Sequence, residues 1–324
     1  MSFRDLGPED IRDAARRMQP VIRRTELRRS DGLSDAAGGD VYIKLENHQE
    51  TGSFKIRGAF NAIASLDHGA RVRGVAAASA GNHGLGVARA AKHFGIPATI
   101  FVPRNAPAVK RNGIEAFGAS VHADAEHYDD ALARAQYYAR EQGVTFINAC
   151  LGDTLLAGQG TVALEILEQL PSVATVVLPV GGGGLLGGMA AFLRHTAPNV
   201  RILGAQSDAT SAMARSLRAG RVVEIPDAPT LAEGLAGQID DDALEIGRLG
   251  LDDIAVVSET ELADAIAWLA HNESEVVEGS GAVAVAAILT RRLGEFPTPA
   301  VIVLSGGNID KARHAKLVKD YLPK

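Results

Sequence analysis

Thr175-Val176-Val177-Leu178-Pro179-Val180-Gly181-Gly182-Gly183-Gly184-Leu185-Leu186-Gly187-Gly188-Met189 is the stretch whose reading decides the fold. It opens on a short apolar run, rich in β-branched residues, of the kind that forms a strand buried on both faces. Four glycines follow, and a helix is expected over 185–195. Six glycines and a proline interrupt the weakly polar span 175–193, so it reads as strand, loop and helix rather than a membrane crossing. With no Cβ in the way, the backbone N–H groups of Gly181, Gly182, Gly183 and Gly184 can converge on an anion, and the helix N-terminus adds partial positive charge. A phosphate is the natural guest. No lysine and no following Ser or Thr makes this a nucleotide P-loop. A rival reading remains: Gly182, Gly184 and Gly187 fit the G-x-G-x-x-G dinucleotide fingerprint. That fingerprint expects an acid about 20 positions on. The next strand, 201–206, ends instead in Gln206, with Asp208 two residues further.

Outward from this unit, apolar runs alternate with amphipathic ones. Strands are expected over 41–45, 74–79, 99–102, 120–122, 201–206 and 301–304. Helices are expected over 53–66 (with Ser53 as N-cap), 84–94, 107–117, 128–141, 158–169, 259–272 and 279–293. The alternation predicts an α/β fold with open, mostly parallel sheets. Three strand–helix units over 74–149 suggest a small α/β domain inserted into a larger one made of 1–73 and 150–324.

The 324 residues suit one large or two medium domains. With 46% hydrophobic and 22% charged residues, the composition is that of an ordinary globular chain, and disorder is not expected. The net charge of −6 comes with no basic stripe, so nucleic acid is not an expected partner. The single cysteine, Cys150, precludes an intrachain disulfide and fits a cytoplasmic protein. Charges scattered over 1–17 do not make a signal peptide.

Two further loops repeat the pattern of an apolar strand followed by glycine: Ser79-Ala80-Gly81-Asn82-His83-Gly84 and Ser305-Gly306-Gly307-Asn308. In open α/β sheets ligands bind beyond the carboxyl ends of the strands, so three such loops point to one convergent site. Lys55, between Phe54 and Ile56, reads either as a surface lysine or as the amine that holds a phosphate-anchored aldehyde. Cys150 has no base linked to it by any motif and reads as a small buried residue.

Together these segments resemble the fold-type II pyridoxal 5′-phosphate enzymes, within them the threonine/serine dehydratase and serine racemase family. The resemblance rests on Lys44-Leu45-Glu46-Asn47, the stretch from Thr51 to Ala59 around Lys55, the Ser79 loop, Ala157-Gly158-Gln159-Gly160-Thr161, the four glycines and the Ser305 loop. It implies two open α/β domains with the cofactor between them. Lys55 would carry the cofactor as a Schiff base and act as the base at Cα, and Phe54 would pack beside the ring. Asn82 would bond the 3′-oxygen, Gly181 to Gly184 would hold the phosphate, and Ser305 would face the pyridine nitrogen. Ser79, Ala80, Gly81, Asn82 and His83 would bind the carboxylate of an amino-acid substrate. The implied reaction is β-elimination from a hydroxyamino acid to a 2-oxo acid and ammonia, by a homodimer. The alternatives are a racemase, another fold-type II lyase, or a non-enzymatic sensor.

Departures from the family bear on these alternatives. Ala80 stands where racemases of the family carry a second acid/base serine. Gln206 and Ala212 stand at racemase metal positions, and an amide and a methyl group are poor ligands for hard cations, so no metal is expected. Asn148-Ala149-Cys150-Leu151-Gly152 replaces a His-Pro-Phe-Asp-Asp-like stretch, and Ala232 to Gln238 departs from the threonine-dehydratase form beyond Ala236. These point to a bulkier substrate, of the phenylserine or hydroxyectoine-derived type. With the end at Lys324 soon after the Ser305 loop, no regulatory domain and no isoleucine feedback are expected.

Overall fold

The computed structural model describes residues 5–19 and 21–321. Within them the strands are β1 (Leu27–Arg29), β2 (Val41–Lys44), β3 (Val75–Ala78), β4 (Ala98–Pro103), β5 (Ser120–Ala125), β6 (Thr145–Phe146), β7 (Thr175–Pro179), β8 (Arg201–Ser207), β9 (Asp253–Val257) and β10 (Ala300–Val303). They form two sheets: a six-stranded one in the order β1-β2-β10-β7-β8-β9, and a four-stranded one in the order β5-β4-β3-β6. Every pairing is parallel except β1 with β2. Strands β3, β7 and β10 are buried at every position, which is why they read as continuous apolar runs. The expected α/β class is therefore the observed one.

Order in the larger sheet does the positioning. Strand β10 lies between β2 and β7, so the segments leaving these three strands emerge side by side at their carboxyl ends. The stretch after β2 leads to Lys55, that after β10 is the Ser305 loop, and that after β7 is the four-glycine loop. The first two are stitched directly: Ser53 bridges Gly306, Phe54 N–H donates to Ser305 O at 3.1 Å, and Gly307 N–H donates to Gly52 O at 2.9 Å.

Several helix starts differ from those expected. The helix Lys55–Ala64 begins after Phe54, and Ser53 is extended, with its buried hydroxyl unpartnered rather than capping. The tie of Ser53 to Gly306 overrides its capping preference. The helix Asn82–Phe94 begins two residues earlier than expected, which brings Asn82 and His83 into its first turn. The helix Asp153–Gln169 begins five residues early, because Gly158 and Gly160 lie inside it rather than before it. Close helix contact explains those glycines. A Cβ on Gly158 would stand 2.5 Å from Arg57 O, and one on Gly188, in the helix Gly184–Thr196, would stand 2.3 Å from Leu156 O and 2.5 Å from Gly160 N. Backbone therefore meets backbone where these three helices cross, in the core between the two sheets. A second core lies on the other face of the larger sheet, around the helix Gly279–Leu289, which is apolar and buried nearly all round.

The Gly188 contact cannot be relieved by a rotamer change, since the opposing atoms are main chain. Gly188→Ala is expected to cost about 1–3 kcal/mol in urea unfolding. Parental stability in that variant would mean the helices can separate freely.

Candidate active site

Lys55 is the first residue of its helix, and its Nζ donates to Ala149 O at 2.8 Å, with Cys150 Sγ at 4.0 Å. No carboxylate contacts it among the described residues. Its amine sits 5.3 Å from the centroid of the Phe54 ring. The acceptor loop is held in turn by Asn148, whose Oδ1 accepts from Cys150 N (2.8 Å) and Leu151 N (3.0 Å).

What fixes Lys55 lies two residues along. Arg57 is 1% exposed. Its guanidinium donates to Glu46 through Nε and Nη2, both at 2.7 Å, and to Glu165 Oε1 at 2.7 Å and Oε2 at 3.0 Å. A further bond reaches Thr161 Oγ1 at 3.1 Å. Lys44 Nζ completes the set on Glu165 at 2.6 Å, Gln169 at 2.8 Å and Thr25 O at 2.8 Å. Two cations and two carboxylates cancel, and the fork geometry of Arg57 is what makes their burial tolerable. Burial alone would push Glu46 up, but Arg57 outweighs it and holds the carboxyl below its usual range. Gln159 adds a neutral tie: its Oε1 accepts from Gly58 N at 3.2 Å.

Side chains would be crowded or strained throughout the four-glycine loop. A Cβ on Gly182 would meet Cys150 Sγ at 2.8 Å, on Gly184 Cys150 Cα at 3.0 Å, and on Gly181 Leu235 Cα at 3.1 Å, while Gly183 has φ +86°. The loop runs into the helix Gly184–Thr196, whose N-terminus has no side-chain cap. Its first amides and the positive end of the helix dipole are therefore left open to an anion.

The loop after β3 closes the site from the smaller sheet. Ser79 Oγ accepts from Gly81 N at 3.1 Å, and the helix that starts at Asn82 again has no side-chain cap. His83 is 3% exposed, and its Nε2 bonds Ile147 O at 3.0 Å, so Nε2 carries the proton and the buried Nδ1 is left without a partner. Burial, with the nearby Lys55 charge, pushes its pKa down to about 3, so the ring is neutral. Ser305 is buried, with Oγ 3.4 Å from Ser280 O. An amine with neutral partners, an uncapped glycine cradle and orphaned polar atoms on Ser53 and His83 together fit a phosphorylated aldehyde cofactor.

Comparison with known proteins agrees. The family model of pyridoxal-phosphate-dependent enzymes matches residues 18–306. The chain belongs to that family. It is 45% identical over 303 residues to an L-threonine ammonia-lyase of Thermotoga maritima, covering 93% of this chain and 75% of that one. It is 36% identical over 312 residues to a catabolic L-threonine dehydratase of Escherichia coli, covering 95% of each. Among solved structures, maize serine racemase superposes with a TM-score of 0.90 at 34% identity over 96% of both chains. Tomato threonine deaminase isoform 2 superposes with a TM-score of 0.89 at 30% identity, covering 96% of this chain and 86% of that one.

As a pyridoxal phosphate enzyme the chain has no need of the dinucleotide reading. Gln206, where that reading wanted an acid, is consumed structurally: its Nε2 donates to Val180 O and Thr210 O, and its Oε1 accepts from Ala214 N. Contacts link several of the residues expected at the site: Phe54 N–H donates to Ser305 O, Gly182 and Gly184 lie against Cys150 beside Lys55, and Asn82 lies against Gly306, while Ser79 and Gly81 bond each other in the loop that also carries Ala80 and leads into Asn82 and His83. Sequence reading missed Glu278, whose Oε1 accepts from Asn82 Nδ2 at 2.6 Å. The available signal was an acid directly before Gly279-Ser280-Gly281, at a helix N-cap where Ser, Thr, Asp or Asn is the rule. No described helix is long and apolar enough to cross a membrane.

Two outcomes follow. Arg57→Leu leaves Glu46 without its guanidinium and Glu165 with Lys44 alone, and is expected to cost about 3–5 kcal/mol in urea unfolding; a neutral result would refute the network's role. His83 ionises well below the 6.5 of a free histidine. The unfolded chain therefore binds a proton that the folded one refuses, and stability falls as pH drops from about 6.5 toward 3. Between pH 6.5 and 5 this slope is at most about 1.4 kcal/mol per unit. In His83→Gln it should flatten when the apoprotein's unfolding is followed against pH; an unchanged slope would assign it elsewhere.

Proposed function

We propose that this enzyme eliminates the β-hydroxyl of a hydroxyamino acid, yielding a 2-oxo acid and ammonia. The observation that carries the reading is Lys55, its amine on the neutral Ala149 carbonyl and set against the four-glycine cradle. Relatives named as L-threonine ammonia-lyase and dehydratase, at 36–45% identity, support it.

When bound, pyridoxal phosphate supplies the electron sink for the pair left at Cα. Gly181 to Gly184 would hold its phosphate through backbone N–H groups, and Ser305 would offer the ring nitrogen a neutral partner. Phe54 would pack beside the ring, and Asn82 would donate to the 3′-oxygen. Lys55 would hold the aldehyde carbon and, as a free amine, serve as the general base for the substrate's Cα proton. The substrate carboxylate would rest on Ser79, Asn82, His83 and the amides of residues 80, 82 and 83, the Gly81 amide being bonded to Ser79 Oγ. Neutral His83 serves as a dipole there and adds no charge. Ala80 presents a methyl group where a second acid/base would have to stand, so a proton is not returned to the opposite face and elimination wins over racemisation. The racemase alternative draws on the likeness to maize serine racemase, and Ala80 argues against it.

Residues 74–149 form the smaller unit in this reading, and 1–73 with 150–324 the larger. The Lys110–Glu233 ion pair (2.6 Å) spans them at the rim. The finer proposal concerns the substrate: Ala149 and Cys150 beside Lys55 are small and uncharged, which favours a β-substituent larger than a methyl group, as in phenylserine. A homodimer and a cytoplasmic setting come with the family resemblance.

The purified holoenzyme is expected to show a near-visible band that borohydride abolishes and that Lys55→Ala lacks. It should release ammonia from a panel of L-threonine, L-serine and phenylserine without forming D-serine. A band surviving in Lys55→Ala would overturn the lysine assignment. Threonine and serine clearly outranking phenylserine would overturn the bulkier preference but keep the lyase reading.

A further inference from the structure

Asn82 is clamped on both sides of its amide. Its Oδ1 accepts from Asn308 Nδ2 at 2.7 Å, and its Nδ2 donates to Glu278 Oε1 at 2.6 Å. Asn308 is itself tied to Thr51 O at 2.8 Å. The two partners fix which end of the amide is which, since Asn308 offers a donor and the carboxylate only accepts. A primary amide has two N–H groups, and Glu278 takes one. Among the described residues the other has no protein acceptor. The clamp surrounds Gly306, next to Ser305: a Cβ there would stand 2.6 Å from Glu278 Oε1, 3.1 Å from Ser53 Cβ and 3.2 Å from Asn82 Nδ2. Glu278 thus belongs to the same wall as the residues set against the cofactor, though it makes no salt bridge among the described residues.

We propose that Glu278 is a positioning residue, which with Asn308 locks the Asn82 amide so that its free N–H is presented to the cofactor's 3′-oxygen, and whose charge acts on that oxygen through the amide. The inference rests on the pyridoxal phosphate reading of Asn82 and adds to it a group that reading does not contain. The charged groups facing Glu278 are Lys110 from the smaller sheet's side, Glu233 on the rim, and Lys55. Burial pushes the Glu278 carboxyl up to about 7; the Asn82 bond, Lys110 and Lys55 oppose this, and Glu233 adds to it. A folded-state pKa above the ordinary 4.5 means that stability falls as pH rises from about 4.5 through 7. Glu278 therefore changes charge near neutrality while bonded to Asn82, the residue that would face the cofactor's 3′-oxygen.

The test uses the holoenzyme's near-visible band titrated against pH, together with pyridoxal phosphate binding to the apoprotein. Glu278→Ala is expected to shift the band's pH midpoint by about half a unit or more and to weaken cofactor binding about tenfold, the loss of one oriented hydrogen bond. In an Asn82→Ala background the same change should add nothing, because its effect passes through Asn82. Glu278→Gln keeps an acceptor for Asn82. It should hold cofactor affinity within about threefold while still moving the midpoint, and it should remove the loss of apoprotein stability between pH 4.5 and 7. It carries the test if the alanine variant does not fold. A parental midpoint in both variants, or full additivity with Asn82→Ala, would overturn the role of Glu278. If Asn82→Ala itself leaves band and affinity unchanged, the reading of Asn82 fails, and the proposal with it.

Discussion

The buried guanidinium of Arg57 is the constraint on which the rest of this structure depends. It joins three pieces of chain that meet nowhere else so closely: the exit of β2 at Glu46, the lysine-bearing helix, and the long helix that supplies Thr161 and Glu165. Each partner is too far away in sequence for local propensity to bring it in. Removing one of its charged members leaves the buried set with an uncompensated charge, which is far costlier than losing a surface pair. The network is therefore close to all-or-none, and Lys55, one helical step from Arg57, inherits its fixed position.

Glycine contacts supply the complementary restraint. Arg57 sets where the helix Lys55–Ala64 sits along its neighbours, and Gly58, Gly158, Gly160 and Gly188 set how close the neighbours come. Close approach brings the four-glycine loop at the head of one helix opposite the lysine at the head of another. Both helices that point uncapped N-termini at the site begin with glycine before them, Gly81 and Gly183. The Lys55 amine bonds the neutral Ala149 carbonyl, with neutral His83 nearby and no carboxylate in contact among the described residues, so it is not drawn into a permanent ion pair and stays available for chemistry.

The legible part of this chain was whatever is written locally. Three apolar strands each ending in glycine, and the order of the motifs around them, gave the α/β class and the residues proposed for the site. The helix starts at Asp153 and Asn82 were read late because glycine counts as a breaker in local propensity, while here it is spent on helix contact. Strands β1, β6 and β9 went unread; the first two are only three and two residues long, too short for a period to show. Glu278 and the partners of Arg57 are of a different kind. Their roles come from side chains separated by 196 and 108 positions, and no spacing rule reaches that far.

The polar links around the site differ in kind from the core packing. They recur between segments far apart in the chain: Lys55 to Ala149, Asn82 to Glu278 and Asn308, Lys110 to Glu233. Each can be exchanged for water or ligand at little net cost, because hydrogen bonds and exposed ion pairs lose less than buried carbon does when they part. Apolar packing also joins the lysine-bearing helix to the helix Asn82–Phe94: Phe60 lies against His93 and Phe94, and a Cβ on Gly86 would stand 3.2 Å from Ile56 Cα. Lys55 combines both kinds of tie: its backbone is fixed by the Arg57 network and the helix contacts, and its amine is held only by the exchangeable ones. An amine that must be bound at one stage and free at another requires that division.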